Sequence, residues 1–442
     1  MTTIDELPRP GRPGAILGLE YWLSPERFFD DLDGVGERFV IKIPGLPTWV
    51  CTTSPEDVKT IFTKGQESLR MAEVLRRFAP HEPLVGGDSL IFLDGKEHQR
   101  ERRTLAPPFH GDRLKAFEPT MVRVTEEHLG SWPVDRPVEV VPLLQELTLD
   151  VIIEVIFGVT EGDRAARLRE AIAGLDGLVG SWHFTAVMVF ALARKGNWPG
   201  AYGNIRNAVK RVDDVVLEEI AHRRREGAED RDDFLAMYMR TGADGEVMDD
   251  ARIAQNMRGL LLGGHETTTL SIGWMIERLT RHPDVLDTLQ AGVDAGDDDY
   301  LDAVIAESMR LRPVAPFTGR WVESPFMLGD LEVPAGVAVV PFITLLHRRA
   351  DIYPDPLSFR PERFLGVRPG TYTWLPFGGG AHRCLGGAFA MLEMRVVMRT
   401  ILRERTLQAT GDAGESMVRR HFAVAPGRGG VATFAARAPV LV

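Results

Sequence analysis

The sequence contains only two cysteines, Cys51 and Cys384, in 442 residues. So few thiols are typical of a protein from a reducing compartment, although one disulfide between the two stays open as an alternative. Two thiolates are also too few to build a multi-thiolate zinc site. Any chemistry of cysteine in this chain therefore has to come from a single sulfur.

Long apolar runs and an excess of basic residues are absent as well. The N-terminus has no apolar run of signal-peptide length, and the most apolar interior stretch, 186–193, is too short to cross a bilayer. Acidic residues outnumber Lys and Arg by 63 to 52, which argues against a nucleic-acid partner. We therefore expect a cytoplasmic protein without a membrane anchor.

The chain also lacks the features that separate domains, since it has no Gly/Ser tract, low-complexity run or internal repeat. Its 44% hydrophobic and 26% charged residues are ordinary for a globular protein. We therefore expect a monomer with a single domain over residues 1–442, in which 1–20 form a Pro/Gly-rich N-terminal segment.

Helical periodicity dominates from about residue 98 onward, and short strand-like segments accompany it. The segments 39–43 and 49–52 are typical of a hairpin, and residues 25–32 of a short helix. Predicted helices cover 98–106, 112–131, 142–158, 161–177, 201–225, 231–241, 250–281, 284–293, 299–311 and 385–403. The sequence thus predicts a mainly α fold with small peripheral β-sheets.

The longest predicted helix, 250–281, carries Gly263 and Gly264 at its centre. Each glycine inside a helix costs about 1 kcal/mol relative to alanine. Tight packing against another helix would explain the pair. The functional alternative is that a large group approaches the backbone at this point.

A Gly-rich loop, 377–383, leads to Cys384, and an amphipathic helix follows. A thiolate before a helix is stabilised by the helix dipole and by backbone N–H groups such as that of Gly386. Glycines such as Gly378 allow the main chain to pass close to a flat ligand. Taken alone, a cysteine after such a turn is more often a buried structural residue.

The full segment resembles the haem-binding signature of the cytochromes P450, Phe-x-x-Gly-x-(His or Arg)-x-Cys-x-Gly-x-x-x-Ala. Every position of the signature is filled, by Phe377, Gly380, His382, Cys384, Gly386 and Ala390. The resemblance implies that Cys384 is the thiolate ligand of the iron of haem b, iron protoporphyrin IX. It spans about residues 25–434 and implies the cytochrome P450 fold, an α-rich triangular prism.

Two further motifs follow the family's order. Glu307 and Arg310 match its Glu-x-x-Arg pair, which with Arg363 is implied to form a structural triad that locks the ligand loop. Glu266 and Thr267 match its oxygen-activating segment, with Glu in place of the commoner Asp. An acid and a hydroxyl in a dry helix can relay protons, and the resemblance makes these two the catalytic pair.

The resemblance also assigns contacts to the haem and its two propionates. Residues that match propionate partners are His98, Arg102, Arg320 and His382. Each of them alone would more often be a surface residue. Other implied cofactor contacts are Phe377, Gly378, Gly386 and Gly263.

A substrate pocket is implied above the haem, between the loop 68–90 and the region 168–212. Its other predicted lining residues are Gly259, Leu260, Val314, Ala315, Phe317 and Phe422. These residues are largely apolar, so we expect a small lipophilic substrate.

The resemblance implies a monooxygenase that inserts one oxygen atom of O2 and receives electrons from a separate ferredoxin or flavodoxin with its reductase. One alternative is a haem-thiolate enzyme that uses peroxide or isomerises its substrate. The intact pair of Glu266 and Thr267 argues against this. Another is a haem sensor or electron carrier, for which His265 could supply a second iron ligand.

Overall fold

The computed structural model describes residues 2–65, 67–78, 82–159, 162–179, 203–227, 231–240, 248–420 and 422–437. Its α-helices are α1 (Gly14–Leu23), α2 (Pro25–Leu32), α3 (Pro55–Thr63), α4 (Met71–Phe78), α5 (Glu82–Val85), α6 (Gly95–Leu105), α7 (Gly111–Lys115), α8 (Glu118–Leu129), α9 (Val140–Phe157), α10 (Gly162–Val179), α11 (Gly203–Glu226), α12 (Phe234–Arg240), α13 (Asp250–Leu279), α14 (Pro283–Ala295), α15 (Asp299–Leu311), α16 (Ile343–Leu346) and α17 (Gly387–Glu404). The apolar stretch 186–193 and the pocket residues 180–202 lie outside the described residues.

The β-strands are short and fall into four groups. They are β1 (Thr2–Thr3), β2 (Arg38–Ile41), β3 (Trp49–Thr52), β4 (Leu69–Arg70), β5 (Pro137–Val138), β6 (Arg320–Val322), β7 (Phe326–Leu328), β8 (Leu331–Val333), β9 (Ala338–Pro341), β10 (Arg405–Leu407), β11 (Met417–Arg420), β12 (Ala423–Pro426) and β13 (Ala432–Ala436). The largest sheet has the order β2-β3-β9-β6-β4, and the others are β1-β8-β7, β10-β13-β5 and the hairpin β11-β12. The architecture is thus mainly α with small sheets, as the periodicity predicts.

The N-terminal segment departs from its prediction. Residues 14–23 form a helix, α1, which buries Leu17 and Tyr21. The sequence does not predict this helix, because Pro13 stands directly before it and the surrounding residues are rich in Pro and Gly. Proline is compatible with the start of a helix, where no internal partner for its nitrogen is needed.

The long helix α13 runs through the protein core and packs on α9, α11, α15 and α17. A Cβ on Gly264 would lie 2.6 Å from Cδ1 of Ile152 in α9, so this glycine allows the two helices to approach. A Cβ on Gly263 would meet nothing within 4 Å. Helix packing therefore explains Gly264, whereas Gly263 faces open space.

Candidate active site

The loop before α17 is closed by backbone hydrogen bonds and by two left-handed glycines. Gly378 and Gly380 have φ values of 62° and 69°, which other residues rarely adopt. The Cys384 N–H donates to the carbonyl oxygen of Phe377 at 2.9 Å. The loop thereby returns on itself and places Cys384 three residues before α17.

The glycines of this loop also allow it to pack on α3. A Cβ on Gly379 would overlap the ring of Phe62, and one on Gly380 would lie 2.6 Å from the Phe62 carbonyl oxygen. The sequence-based reason for the glycines was close passage of a flat ligand. For Gly379 and Gly380 the contacts give a different reason, namely close packing against a neighbouring helix, whereas a Cβ on Gly378 would meet nothing within 4 Å and its contact with a ligand stays a prediction.

The two cysteines are both free and have opposite surroundings. Cys51 is buried in the core, and burial raises the pKa of its thiol well above the usual value. Cys384 is exposed. Desolvation by the loop raises the pKa of the Cys384 thiol, and the Gly386 N–H, Arg383 and Arg102 oppose this rise. A backbone donor and two cations stabilise a thiolate, so Cys384 is the suitable metal ligand.

Four cationic or ionisable side chains gather beside this loop, as the motif matches predict. The rings of His98 and His382 stack with centroids 3.9 Å apart. Desolvation, followed by the charges of His382 and Arg102, lowers the pKa of His98 to about 4. Arg320 is buried, and desolvation lowers its pKa to about 10. An anion bound beside the two arginines would stabilise such a cluster.

The two arginines of this cluster are available to such an anion. Arg320 contacts the Met71 sulfur at 2.9 Å and donates to the carbonyl of Gly319 at 2.8 Å. Within the described part of the chain, neither Arg102 nor Arg320 has a carboxylate at ion-pair distance. Carboxylates of a bound group would supply the missing partners.

Asp94 is a member of this cluster that the motifs do not reveal. Its carboxylate lies 3.2 Å from Nε2 of His382 and accepts the backbone N–H groups of Met71 and Ala72 at 3.0 and 3.1 Å. Asp94 thus orients His382 and caps α4. An Asp-Gly pair before a helix suggests only a cap of that same helix, so sequence alone could not assign this role.

The predicted structural triad is assembled. Arg310 donates to both carboxylate oxygens of Glu307 at 2.6 and 2.8 Å, and Arg363 lies 3.3 Å from the same carboxylate. Arg310 also donates to the carbonyls of His347 and Pro356 at 2.8 Å each. Glu307 and Arg310 are fully buried. The group joins α15 to the irregular segment that precedes the cysteine loop.

The predicted catalytic pair lies on α13. The hydroxyl of Thr267 donates to the carbonyl oxygen of Gly263 at 2.7 Å, on the open side of the helix. Glu266 is almost fully buried, and its carboxylate lies 2.6 Å from Nε of Arg420. His265 is turned the other way, since its Nε2 contacts the carbonyl of Gln145 in α9 at 2.9 Å. This orientation removes the reason for considering His265 as an iron ligand.

The predicted pocket residues have mixed environments. Gly259 and Leu260 are half-buried on α13, and Phe422 is 44% exposed at the tip of the β11-β12 hairpin. Val314 is buried in a small apolar cluster. Phe317 contacts the rings of Tyr21, Trp49 and Phe342, and Ala315 is half-buried. The core contacts of Val314 and Phe317 leave their role in a pocket as a prediction.

These residues fit a haem. The Cys384 sulfur would hold the iron, the cluster of His98, Arg102, Arg320 and His382 would bind the propionates, and the open side at Gly263 leaves room on α13. Among the described residues, no three His, Cys, Asp or Glu side chains form a metal site of their own. No helix there is long and apolar enough to cross a membrane.

Haem-thiolate proteins hold the iron of haem through one cysteine, and a thiol in a glycine loop beside a cationic cluster is suited to this class. The family model for cytochrome P450 matches residues 8–431. The chain is 36% identical over 403 residues to cytochrome P450 135B1 of Mycobacterium tuberculosis. This alignment covers 89% of the chain and 84% of that relative. It is 35% identical to cytochrome P450 138 of the same organism, with 95% and 93% covered.

A solved structure of a cyanobacterial cytochrome P450, CYP120A1 with retinoic acid bound, superimposes with a TM-score of 0.80 at 21% identity. It covers 98% of this chain and 100% of that one, and it confirms the predicted fold class. The chain belongs to the cytochrome P450 family. It is therefore an oxidoreductase of the monooxygenase class with haem iron as its cofactor.

Proposed function

We propose that the protein is an O2-dependent monooxygenase that inserts one oxygen atom into a small lipophilic substrate. Haem b, held through Cys384, would supply the activation of O2. The observation that supports this most directly is the acid and hydroxyl pair on α13, where Thr267 lies on the open side of the helix next to buried Glu266.

In this proposal Thr267 holds a proton at its hydroxyl oxygen, and Glu266 replaces it. The Thr267 hydroxyl rests on the Gly263 carbonyl, so a small rotation would present it to the open side. Glu266 is the adjacent ionisable group, and it serves in this proposal as the general acid that returns the proton to Thr267. Because Glu266 is buried, its carboxyl group exchanges protons with bulk water slowly. Its proton would therefore pass to Thr267 rather than to solvent.

Electrons would come from a separate ferredoxin or flavodoxin with its reductase. Arg100, Arg103 and Arg383 are exposed in the segments that surround Cys384. Acidic carrier proteins would be attracted to this face despite the net charge of −11. We further propose that the enzyme acts in the cytoplasm as a single-domain monomer.

The proposed function is tested by Thr267→Ala. The variant should bind haem and an apolar ligand normally, because the cysteine loop is unchanged. It should still consume reductant and O2, yet release more hydrogen peroxide and form less product. The measurement is product formed per reductant consumed, with a substrate chosen by a spectral-shift screen of terpenoids, steroids and fatty acids.

Thr269→Val is the matched control. Its hydroxyl belongs to the same helix but pairs with Thr148 of α9 at 2.7 Å, so its loss should leave coupling unchanged. Unchanged coupling in Thr267→Ala would contradict the proton role and would favour a peroxide-using or isomerising enzyme.

A further inference from the structure

His347 is a buried histidine that the sequence motifs do not single out. It directly follows α16 and is 1% exposed. Its ring packs edge-on against Tyr353, with the ring centroids 6.2 Å apart and an angle of 82° between the ring planes. Both ring nitrogens have a partner in the backbone, so the imidazole joins two segments of the protein.

These two partners determine which nitrogen of His347 carries the proton. Nε2 accepts the Leu375 N–H at 3.0 Å, so this nitrogen is unprotonated. Nδ1 therefore carries the proton of the neutral ring and donates it to the Arg310 carbonyl oxygen at 3.0 Å. Desolvation, followed by the charge of Arg310, lowers the pKa of His347 to about 3. The imidazole is thus neutral in the folded protein and is a donor and an acceptor at once.

On its Nδ1 side, His347 is bound twice to the structural triad. Besides the bond from Nδ1, the guanidinium of Arg310 donates to the carbonyl oxygen of His347 at 2.8 Å. The same guanidinium forms the two bonds to Glu307 and lies 5.1 Å from the ring centroid of Tyr353. The position of His347 is therefore fixed by the buried ion pair.

On its Nε2 side, His347 holds the start of the cysteine loop. The Leu375 residue that donates to Nε2 is fully buried, and its own carbonyl oxygen accepts the Gly378 N–H at 2.9 Å. Two residues further on, Phe377 accepts the Cys384 N–H. Hydrogen bonds thus lead from the triad, through one imidazole, to the turn that begins the loop around Cys384.

We propose that His347 is a positioning residue through which the triad holds the cysteine loop, and with it the Cys384 sulfur, at the iron. This inference rests on the proposed role of Cys384 as the iron ligand. Without the imidazole, the buried Leu375 N–H would have no partner, which is costly inside a protein. The loop would then move away from the iron more easily, while the remaining fold persists.

The test follows the thiolate bond in the haem-loaded, substrate-free protein. Each variant is reduced with dithionite under CO, and the decay of the red-shifted Soret band is timed in dilute urea, where far-UV circular dichroism shows that the protein is folded. In His347→Phe the band should decay about tenfold faster than in the wild type, because a buried donor loses its acceptor. His347→Gln places an amide oxygen near the position of Nε2 and should restore the wild-type rate.

His265→Phe is the matched control for the loss of a buried imidazole. The His265 ring also bonds to a backbone carbonyl, that of Gln145, but this bond joins α13 to α9 instead of holding the cysteine loop. The free energy of unfolding of His265→Phe should fall, whereas the decay rate of its Soret band should equal that of the wild type. This comparison separates a general loss of stability from a loss of loop position.

A wild-type decay rate in His347→Phe would overturn the proposal. Equal acceleration in His265→Phe would do the same, since general destabilisation would then be sufficient, and so would a fast His347→Gln, since the acceptor would then be irrelevant. If His347→Phe does not fold, hydrogen exchange of the wild type decides. The Leu375 amide should exchange as slowly as the amides of α15, and fast exchange at Leu375 would contradict the bond to His347.

The CO spectra keep this proposal separate from the proposed function. They involve no turnover of O2, so a failure of the monooxygenase proposal appears only as unchanged coupling in Thr267→Ala. Loss of the red-shifted band in Cys51→Ser would instead overturn the assignment of Cys384, and the role of His347 with it.

Discussion

At the scale of single residues, environment separates two chemically identical thiols. Cys51 lies in strand β3, where every residue is buried and nothing lowers its pKa. Cys384 lies in a loop where a backbone N–H and two arginines favour the thiolate. We therefore propose that Cys384, rather than Cys51, binds the haem iron.

Replacement of Cys384 by serine should abolish the haem-thiolate centre, because an alcohol does not ionise to a soft thiolate ligand. We expect Cys384→Ser to lose the red-shifted Soret band of the reduced CO complex, and activity with it. Absorbance spectra of the purified variants provide the measurement. Cys51→Ser is the control and should keep the band, whereas its loss in that variant would assign the ligand to Cys51.

Glu393 is a buried carboxyl that the sequence motifs do not single out. It lies on α17, is 1% exposed, and hydrogen-bonds with Thr268 on α13. In the described part of the chain no cation lies at ion-pair distance from it. Desolvation by burial raises its pKa to about 8, although the bond with Thr268 opposes the rise. Glu393 therefore remains protonated in the folded protein at neutral pH.

The raised pKa makes stability depend on pH. The unfolded chain loses the Glu393 proton near the ordinary pKa of Glu, about 4.3, and the folded chain only near 8. The stability that protonated Glu393 contributes is thus present at low pH and declines as the pH rises to about 8. The decline is about 1.4 kcal/mol per pH unit in this window.

Glu393→Gln removes this titration while it preserves the shape of the side chain. We expect the free energy of unfolding to fall less steeply in this variant than in the wild type between pH 5 and pH 8, measured in urea at several pH values. Glu404→Gln, an exposed change at the end of the same helix, should retain the wild-type slope. Equal slopes in Glu393→Gln and wild type would show that Glu393 is ionised in the fold.

At the scale of elements, the triad fixes α15 to a segment whose regular structure is limited to one short 3-10 helix, Pro361–Arg363. The segment 354–376 has few backbone hydrogen bonds of its own that could hold it, apart from short turns. Glu307 of α15 accepts the Arg360 N–H at 2.9 Å, and Arg310 donates to two carbonyls of this segment, those of Pro356 at 2.8 Å and Ser358 at 3.3 Å. The buried ion pair thus anchors this segment to α15 just before the cysteine loop.

Glu307→Ala should leave Arg310 as a buried cation without its carboxylate. The expected loss of stability is about 3–5 kcal/mol, with poor folding or loss of haem. Haem content and urea unfolding provide the measurements. The exposed pair of Arg123 and Glu127 supplies a control, since Glu127→Ala should cost less than about 1 kcal/mol. A stable, fully haem-loaded Glu307→Ala protein would contradict the structural role.

At the scale of the whole molecule, charge is distributed unevenly. The total is −11, yet exposed arginines surround the cysteine loop. Long-range attraction between this face and an acidic carrier would speed their encounter. The effect acts through solvent, so salt weakens it.

Reduction of the haem by a ferredoxin should slow as ionic strength rises. Stopped-flow reduction rates should also fall in Arg103→Glu, by about tenfold at low salt, because a positive charge on this face is replaced by a negative one. Arg136→Glu changes another exposed arginine, next to β5, and should have little effect. A rate that ignores both salt and Arg103→Glu would mean that the carrier docks elsewhere.

Much of this molecule follows from local sequence. Periodicity alone predicts α9, α13, α15 and α17, because a helix shows its buried face at fixed intervals. The motif 377–390 predicts Cys384 rather than Cys51 as the ligand, since only Cys384 stands between a glycine loop and a helix. Helix α1 is not predicted, because the residues around it are rich in proline and glycine. Its buried residues, Leu17 and Tyr21, pack against segments that are distant in the sequence.

Only the tertiary structure determines the contacts between residues that are far apart in the sequence. Asp94 binds the start of a helix that precedes it by more than twenty residues, and Arg420 reaches Glu266 from a hairpin far along the chain. Gly263 and Gly264 are identical in sequence, yet one faces open space and the other a helix. The sequence determines the chemistry of the side chains and their spacing along the chain. Burial, charge pairing and open space arise only when distant segments pack, because they depend on which atoms exclude water from one another.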